Sequence, residues 1–326
     1  MKTFSQTLTA LLLACCGMAA MAQTKMTLGH NAAVGNPKHE ASLKFAELVK
    51  VKSNGKFDIQ VAPAAQLGDD VPILTSLRTG AVDLSANSQG AISSVVPEYA
   101  AFGLPFLFPN LQAAWKVLDG PVGAELAKHT EAKGMVVLGY WDNGIRHVSN
   151  KVRPINSPAD LKGLKVRTPP DPVTIDIMQA LGADAQQIKF SELYVALQQG
   201  VVDGQENPLM NIWSSKLYEV QKFISYTSHK YEMTPFVMSK RSYDRLSEAD
   251  RKIFHEAAAE ATQFNRKASL ESDQKLEGEL KAKGIAINRP DLAAFQKATE
   301  PVVDKWTSGP QGEFVRKVVA AAKAVK

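Results

Sequence analysis

Along the chain the spacing of apolar positions switches repeatedly between two residues and about 3.6, the repeats of strand and helix. Residues 25–29 read as a strand, and 38–50 place Leu43, Phe45, Ala46, Leu48 and Val49 on one helical face. Ser53-Asn54-Gly55 turns the chain into a second strand over 57–61. Such a strand–helix–strand unit builds a mostly parallel sheet. A helix over 71–79 ended by Gly80, a strand over 82–86, a helical stretch over 111–129 and a strand over 135–140 continue the alternation. The proline-interrupted aromatic run 102–108 reads as a segment crossing the core.

Further on, Ser157-Pro158-Ala159-Asp160 is a helix start, with a Ser cap, Pro at the first helical position and a carboxylate near the orphan N–H groups. Leu164 and Val166 then alternate with Lys165 and Arg167, a half-buried strand that Pro169-Pro170 stops. Helices over 173–181 and 193–199, a short strand and turn over 201–208, and a strand within 226–239 follow. Pro235, near the middle of that strand, marks a sheet edge or a crossover between domains. Ser247-Glu248-Ala249-Asp250 caps a helix that runs to about Lys283, far longer than the usual three turns. A strand over 285–287 and two closing helices complete the chain.

Strands alternating with helices define the α/β class. The chain crosses between two lobes near Tyr140–Arg146, near Tyr231–Pro235 and within the long helix. The expected division is 23–144 plus 233–272 for lobe I and 145–232 plus 273–326 for lobe II.

Composition sharpens this picture at the N-terminus. Lys2, an apolar run from Leu8 to Ala14 and the small–x–small site Ala20-Met21-Ala22 form a cleavable signal peptide, so that Gln23 begins the exported, periplasmic protein. Cys15 and Cys16 both fall inside the leader; lipidation of Cys15 is a minor alternative, because Leu at the second position of Leu12-Leu13-Ala14-Cys15 is unusual. After cleavage no thiol or disulfide chemistry remains. The 38 basic against 33 acidic side chains form no concentrated basic stripe, which argues against nucleic-acid binding.

The usual catalytic signatures are missing. His residues lack paired ligand spacing, no glycine-rich phosphate loop follows a strand, and no Gly-x-Ser-x-Gly elbow occurs, so neither metal nor cofactor is expected. Asp69-Asp70 reads as a solvated helix start rather than a catalytic pair. What remains is a set of polar groups at strand ends: Asn31, Asn87, Arg146, Arg167 and Asn207. In open α/β sheets that edge is where ligands bind, and a guanidinium there fits a carboxylate with two hydrogen bonds. Arg167 therefore reads as the carboxylate clamp, against the plainer reading of a surface ion pair. Arg146 can instead pair with Asp142 and have no other role. Trp141 and Trp213 are candidates for a ligand wall or for plain core.

Four runs carry a family resemblance: Gln66-Leu67-Gly68-Asp69-Asp70, Lys162-Gly163-Leu164-Lys165-Val166-Arg167, Phe190-Ser191-Glu192-Leu193-Tyr194-Val195-Ala196-Leu197-Gln198 and Val202-Asp203-Gly204-Gln205-Glu206-Asn207-Pro208. Over nearly the whole mature length the chain resembles the DctP-type extracytoplasmic solute-binding subunits of tripartite ATP-independent periplasmic (TRAP) transporters. The resemblance implies two α/β lobes, a hinge, a long helix crossing both, and delivery of a small organic acid to TRAP membrane permease subunits by a monomer that is not an enzyme. It implies Arg167 as the selectivity-filter arginine, Arg146 as a second cation, Asn207 as the amide beside it, Phe190 as an aromatic wall, and Asn31 and Asp70 as polar pocket positions. Asn87 and Pro170 replace an acidic residue and an Asn of sialic-acid-binding members, and Trp141 is bulkier than its counterpart. These departures point away from a nine-carbon sugar acid and toward a smaller hydroxylated monocarboxylate, hexuronates first, then an aromatic or short keto acid. The rivals are an exported enzyme acting on sugar acids, with Asp70 or Glu206 as base, and a binding protein serving chemotaxis or a sensor kinase.

Overall fold

The computed structural model describes residues 23–325; the expected signal peptide and both cysteines lie outside them. Nine strands form one hydrogen-bonded sheet: β1 (Thr24–Gly29), β2 (Phe57–Ala62), β3 (Leu84–Ala86), β4 (Met135–Asn150), β5 (Lys165–Thr168), β6 (Asp184–Gln187), β7 (Gly204–Asn207), β8 (Phe223–Ser239) and β9 (Ala286–Asn288). Their order is β2-β1-β3-β8-β4-β7-β5-β6, with β9 beside β8. At one end β1 pairs parallel with β2 and β3; at the other β5 pairs parallel with β6 and β7. The long antiparallel pair β4–β8 joins these two parallel halves.

The helices are α1 (Pro37–Lys52), α2 (Asp70–Thr79), α3 (Gln89–Ile92), α4 (Leu111–Leu118), α5 (Pro121–Ala132), α6 (Pro172–Ala180), α7 (Leu193–Gln198), α8 (Leu209–Ser214), α9 (Lys240–Asp244), α10 (Glu248–Ala282), α11 (Ala293–Ser308) and α12 (Gly312–Ala324). The single helical stretch expected over 111–129 is two helices, because Gly120 and Pro121 end one and start the next. None of the described helices is long and apolar enough to cross a membrane.

Two elements tie the lobes together. The first is α10, 35 residues and therefore about 52 Å long. Phe254, Ala257 and Ala261 on its first half pack in the core with Phe45 and Phe236, whereas Leu276 and Leu280 on its second half pack with Leu197 and Ile212. The second is the β4–β8 pair, in which Tyr140 faces Pro235 and Arg146 faces Lys230. Pro235 thus lies at the crossover in a central strand, not at an edge. The strand expected to stop at Tyr140 continues to Asn150 through Asp142-Asn143-Gly144, with bulges at three places. Polar residues there resemble a turn in the sequence, but each is buried: Asp142 bonds Asn265 of α10, Asn143 accepts from Asn211 of α8 at 3.4 Å and Gly144 pairs with Glu232 of β8, so alternation is not required. The C-terminal division also differs from expectation. Helix α11 does pack on lobe II, where Lys305 and Trp306 reach Asp176 at 2.8 and 2.9 Å. Helix α12 returns to lobe I: Phe314 lies 6.4 Å from Phe102, and Lys317 bonds Glu125 at 2.9 Å.

Behind the sheet edge, α3 of lobe I touches the start of α6 so closely that a Cβ on Gly90 would sit 2.3 Å from Asp171 Cβ. Gly90→Ala should therefore lower unfolding stability by about 1–3 kcal/mol. Urea unfolding checks this; an unchanged midpoint and slope would mean the two helices separate freely.

At the crossing, Asp142 is fully buried and accepts from Trp115 Nε1 at 3.0 Å, while its N–H donates to Asn265 Oδ1 at 2.6 Å. Burial raises its carboxyl to about 6 against the pull of its hydrogen bond with Trp115 and of the nearby Tyr231 and Ser269 hydroxyls. A carboxyl raised on folding stabilises the fold below its unfolded value near 4, and that contribution is lost as pH climbs through 6. The stability difference between Asp142→Asn and the native protein should accordingly shift in favour of the variant between pH 4 and 7. A difference that stays constant across that range in urea titrations would contradict this assignment.

Candidate functional site

Arg167 emerges from β5 just before Pro169-Pro170 divert the chain, and it is 2% exposed. Its Nε donates to the Ile188 carbonyl at 2.8 Å, which fixes the plane of the guanidinium. Phe190 covers that plane from 5.7 Å. Neither Nη has a partner among the described residues, and both belong to a side chain lining a cavity of about 380 Å³ between the lobes. Burial pulls the guanidinium down to about 10, with Glu206 opposing, so it stays charged at neutral pH.

Arg146 lines the same cavity but is engaged differently. Its Nε and one Nη grip the Glu206 side chain, the other Nη bonds Glu232, and Glu206 O accepts a further bond at 2.6 Å. The alternative pairing with Asp142 does not occur. Burial works against the charge on Arg146, yet Glu206 and Glu232 raise its pKa; in turn Arg146 overcomes burial and lowers the Glu206 carboxyl to about 2. His229 Nε2 lies 3.2 Å from Glu206 Oε2, and burial lowers its pKa, so it remains neutral. Arg146 is thus a second cation at the cavity whose charge is already answered by carboxylates of the protein.

The amides and carboxylates arrange around these two. Asn207 lines the cavity, donates to Gln205 Oε1 and accepts from Asn211 Nδ2 at 3.0 Å. On the lobe I wall, Asn31 Nδ2 donates to Asp70 Oδ2 at 2.6 Å. Asp70 is 8% exposed, not the solvated helix start its sequence suggests, and burial raises its pKa against the pull of Lys38. Asn87 is fully buried and absent from the lining; it donates to the Asp70 carbonyl at 2.9 Å and so braces the start of α2. Trp213 is also outside the cavity, stacked on Tyr218 at 5.1 Å, and Trp141 stacks on Phe236 at 4.3 Å deep in the core. The aromatic wall therefore reduces to Phe190.

Lys38, Ser88, Glu232 and Asn211 line the cavity and were not singled out from the sequence. A signal existed for two of them. Lys38 is a cation in the first turn of a helix, the wrong end for its charge. Glu232 and Lys230, whose ammonium bonds Asp171 and Thr174, put two charges into the continuously buried part of β8. Across the mouth of the cavity the lobes meet directly: Asn36 Nδ2 donates to Asn211 Oδ1 at 2.9 Å and to Ser214 Oγ at 3.1 Å, and Ser191 Oγ donates to Asp69 Oδ2 at 2.6 Å. No group of three or more potential metal-binding His, Cys, Asp or Glu occurs among the described residues.

The cavity between the lobes thus presents one guanidinium, Arg167, that no carboxylate of the described residues pairs with. Comparison with known proteins places the chain in a family. The model of bacterial extracellular solute-binding protein family 7, DctP, matches residues 28–309. Uncharacterized protein y4mM of Sinorhizobium fredii is 56% identical over 290 residues, 89% of this chain and 53% of that protein, so the chain spans about half of that relative. The 2,3-diketo-L-gulonate-binding periplasmic protein YiaO of Escherichia coli is 33% identical over 310 residues, covering 94% of each chain. The sugar acid binding protein DctPAm of Advenella mimigardefordensis, solved in complex with galactonate, superposes with a TM-score of 0.91 at 34% identity, over 93% of this chain and 99% of that one. The chain belongs to bacterial extracellular solute-binding protein family 7, the DctP-type binding subunits of TRAP transporters, which hold their ligands without transforming them.

Proposed function

We propose that this protein captures a small organic monocarboxylate in the periplasm, a sugar acid such as a hexuronate before others, and hands it to the membrane permease of a TRAP transporter. The observation that carries this is the Arg167 guanidinium, buried, planar and unspent in the interlobe cavity. The ligand carboxylate takes both Nη groups in the forked geometry that only arginine offers. Arg146 holds Glu206 and Glu232 away from Arg167, and Asn207, fixed by Gln205 and Asn211, stands beside the carboxylate. Asn31 and Asp70 from the other lobe read hydroxyls. The cavity volume falls at the lower end of the roughly 300–1,000 Å³ typical of small-molecule sites, which suits a six-carbon acid. The galactonate bound by DctPAm and the diketo-gulonate in the name of YiaO, both sugar acids, support the same class.

The lobes, 23–144 plus 233–272 and 145–232 plus most of 273–326, open and close by bending at the β4–β8 crossing and along α10. A ligand touching both walls binds the closed form more tightly, and that difference alone sets the closed population. The permease then receives the closed form. Residues 1–22 serve as the export leader.

Arg167→Ala should weaken binding of D-galactonate by about 100-fold or more, since it strands a carboxylate in a dry site, and Arg167→Lys should restore only a small part. Calorimetry on the three proteins decides; equal affinity in Arg167→Ala would remove the clamp. Native protein with a six-carbon sugar acid at 100 times its dissociation constant should gain about 2.7 kcal/mol of stability. A thermal-shift panel of sugar acids, keto acids and C4 dicarboxylates that finds only the dicarboxylates stabilising would overturn the preferred class.

A further inference from the structure

Lys38 breaks three rules at once. It occupies the first turn of α1, directly after Pro37, where the helix dipole disfavours a cation. It is 3% exposed. No carboxylate of the described residues comes within 4.0 Å of its ammonium, whose one hydrogen bond, to Asn31 Oδ1, is long at 3.4 Å. Burial lowers its pKa, with Asp70 and Glu232 acting from farther away to oppose the shift. A side chain placed this badly for stability, yet lining the ligand cavity, is retained for a contact that the protein itself does not make.

Resting on the proposed function, we infer that Lys38 is a specificity-determining residue: its ammonium donates to an uncharged oxygen, hydroxyl or carbonyl, on the tail of the acid whose carboxylate Arg167 holds. Lys38 stands on lobe I and Arg167 on lobe II, so an acid long enough to reach both is held from both walls. Charge decides that the tail oxygen is neutral. The cavity is lined by the cations Lys38, Arg146, Arg167 and Lys189 and the acids Asp69, Asp70 and Glu232; Glu206, gripped by Arg146 just behind the wall, makes four acids against four cations, and His229 is neutral. The clamped carboxylate brings this set to one negative charge. A second carboxylate on the ligand would bring it to two in a site shielded from water, where like charges repel strongly.

The test is calorimetry, with ligand-observed NMR for weak binders, on native protein and Lys38→Met, a variant that keeps the aliphatic stem. D-galactonate, D-glycerate and D-galactarate serve as a long acid, a short acid and a long diacid. Lys38→Met should lose about 10- to 100-fold in affinity for galactonate, the scale of a charge-assisted hydrogen bond, and less than about threefold for glycerate. Native protein should prefer galactonate to galactarate. Because Lys38 has no ion pair to lose, the ligand-free variant should unfold at or above the native midpoint. Unchanged galactonate affinity, or equal losses for long and short acids, would overturn the inference while leaving the proposed function standing. Tighter binding of galactarate would make the tail group an anion and overturn it too. A clearly lowered ligand-free midpoint would make Lys38 structural. If native protein binds none of the three acids, the proposed function falls and this inference with it.

Discussion

A guanidinium taken out of water and left without a carboxylate is the constraint around which this molecule is arranged. Arg167 carries its full charge in a cavity lined by Pro169, Pro170 and Phe190 and keeps one hydrogen bond among the described residues. On the proposed function, such a group raises the energy of the cleft until an anion enters, and the cleft then discriminates by charge before it discriminates by shape. The surroundings preserve that imbalance. Glu206 and Glu232, the nearest candidates to neutralise Arg167, are both held by Arg146. Arg146 thereby keeps two acids from collapsing onto the clamp, an effect that a simple count of cations would miss.

The same arrangement explains why the lobes are joined as they are. Arg146 stands on β4, Glu206 on β7 and Glu232 on β8, three strands adjacent in the sheet. A network spread over three neighbouring strands is rigid, because moving any one member strands a buried charge. If the lobes close as proposed, bending falls to the bulges of β4 between Val137 and Gly144 and to α10 where it passes the crossing, beside this network.

Much of this was legible in the residues alone. Periodicity located the longer helices and most strands, while the short elements β6, α3, α8 and α9 escaped it, and Arg167 stood out because a strand that ends in two prolines must leave the sheet beside a charged fork. What stayed hidden was decided at long range. The continuation of β4 through Asp142-Asn143-Gly144 depends on partners from α10 more than 120 residues away. Asn87, in the loop after β3, and Trp213, on α8, turn to the protein, because a neighbouring carbonyl and ring satisfy them first. The fate of Arg146 needed the positions of Glu206 and Glu232, whose pairing across strands no local spacing encodes. Helix α12 crosses back to lobe I because Phe314 finds Phe102, a contact between the end of the chain and its first third.

The contacts of Asn36 with Asn211 and Ser214, and of Asp69 with Ser191, involve no atom of any cargo. They add the same increment to the shut state for every acid that enters. Strengthening that rim would tighten all affinities together and erode the spread between a preferred acid and a poor one. A selective scavenger thus gains from keeping its lips weakly adhesive and its gullet demanding, and here three polar bonds form the seam, from the exposed Ser191–Asp69 bond to the buried Asn36–Asn211 bond.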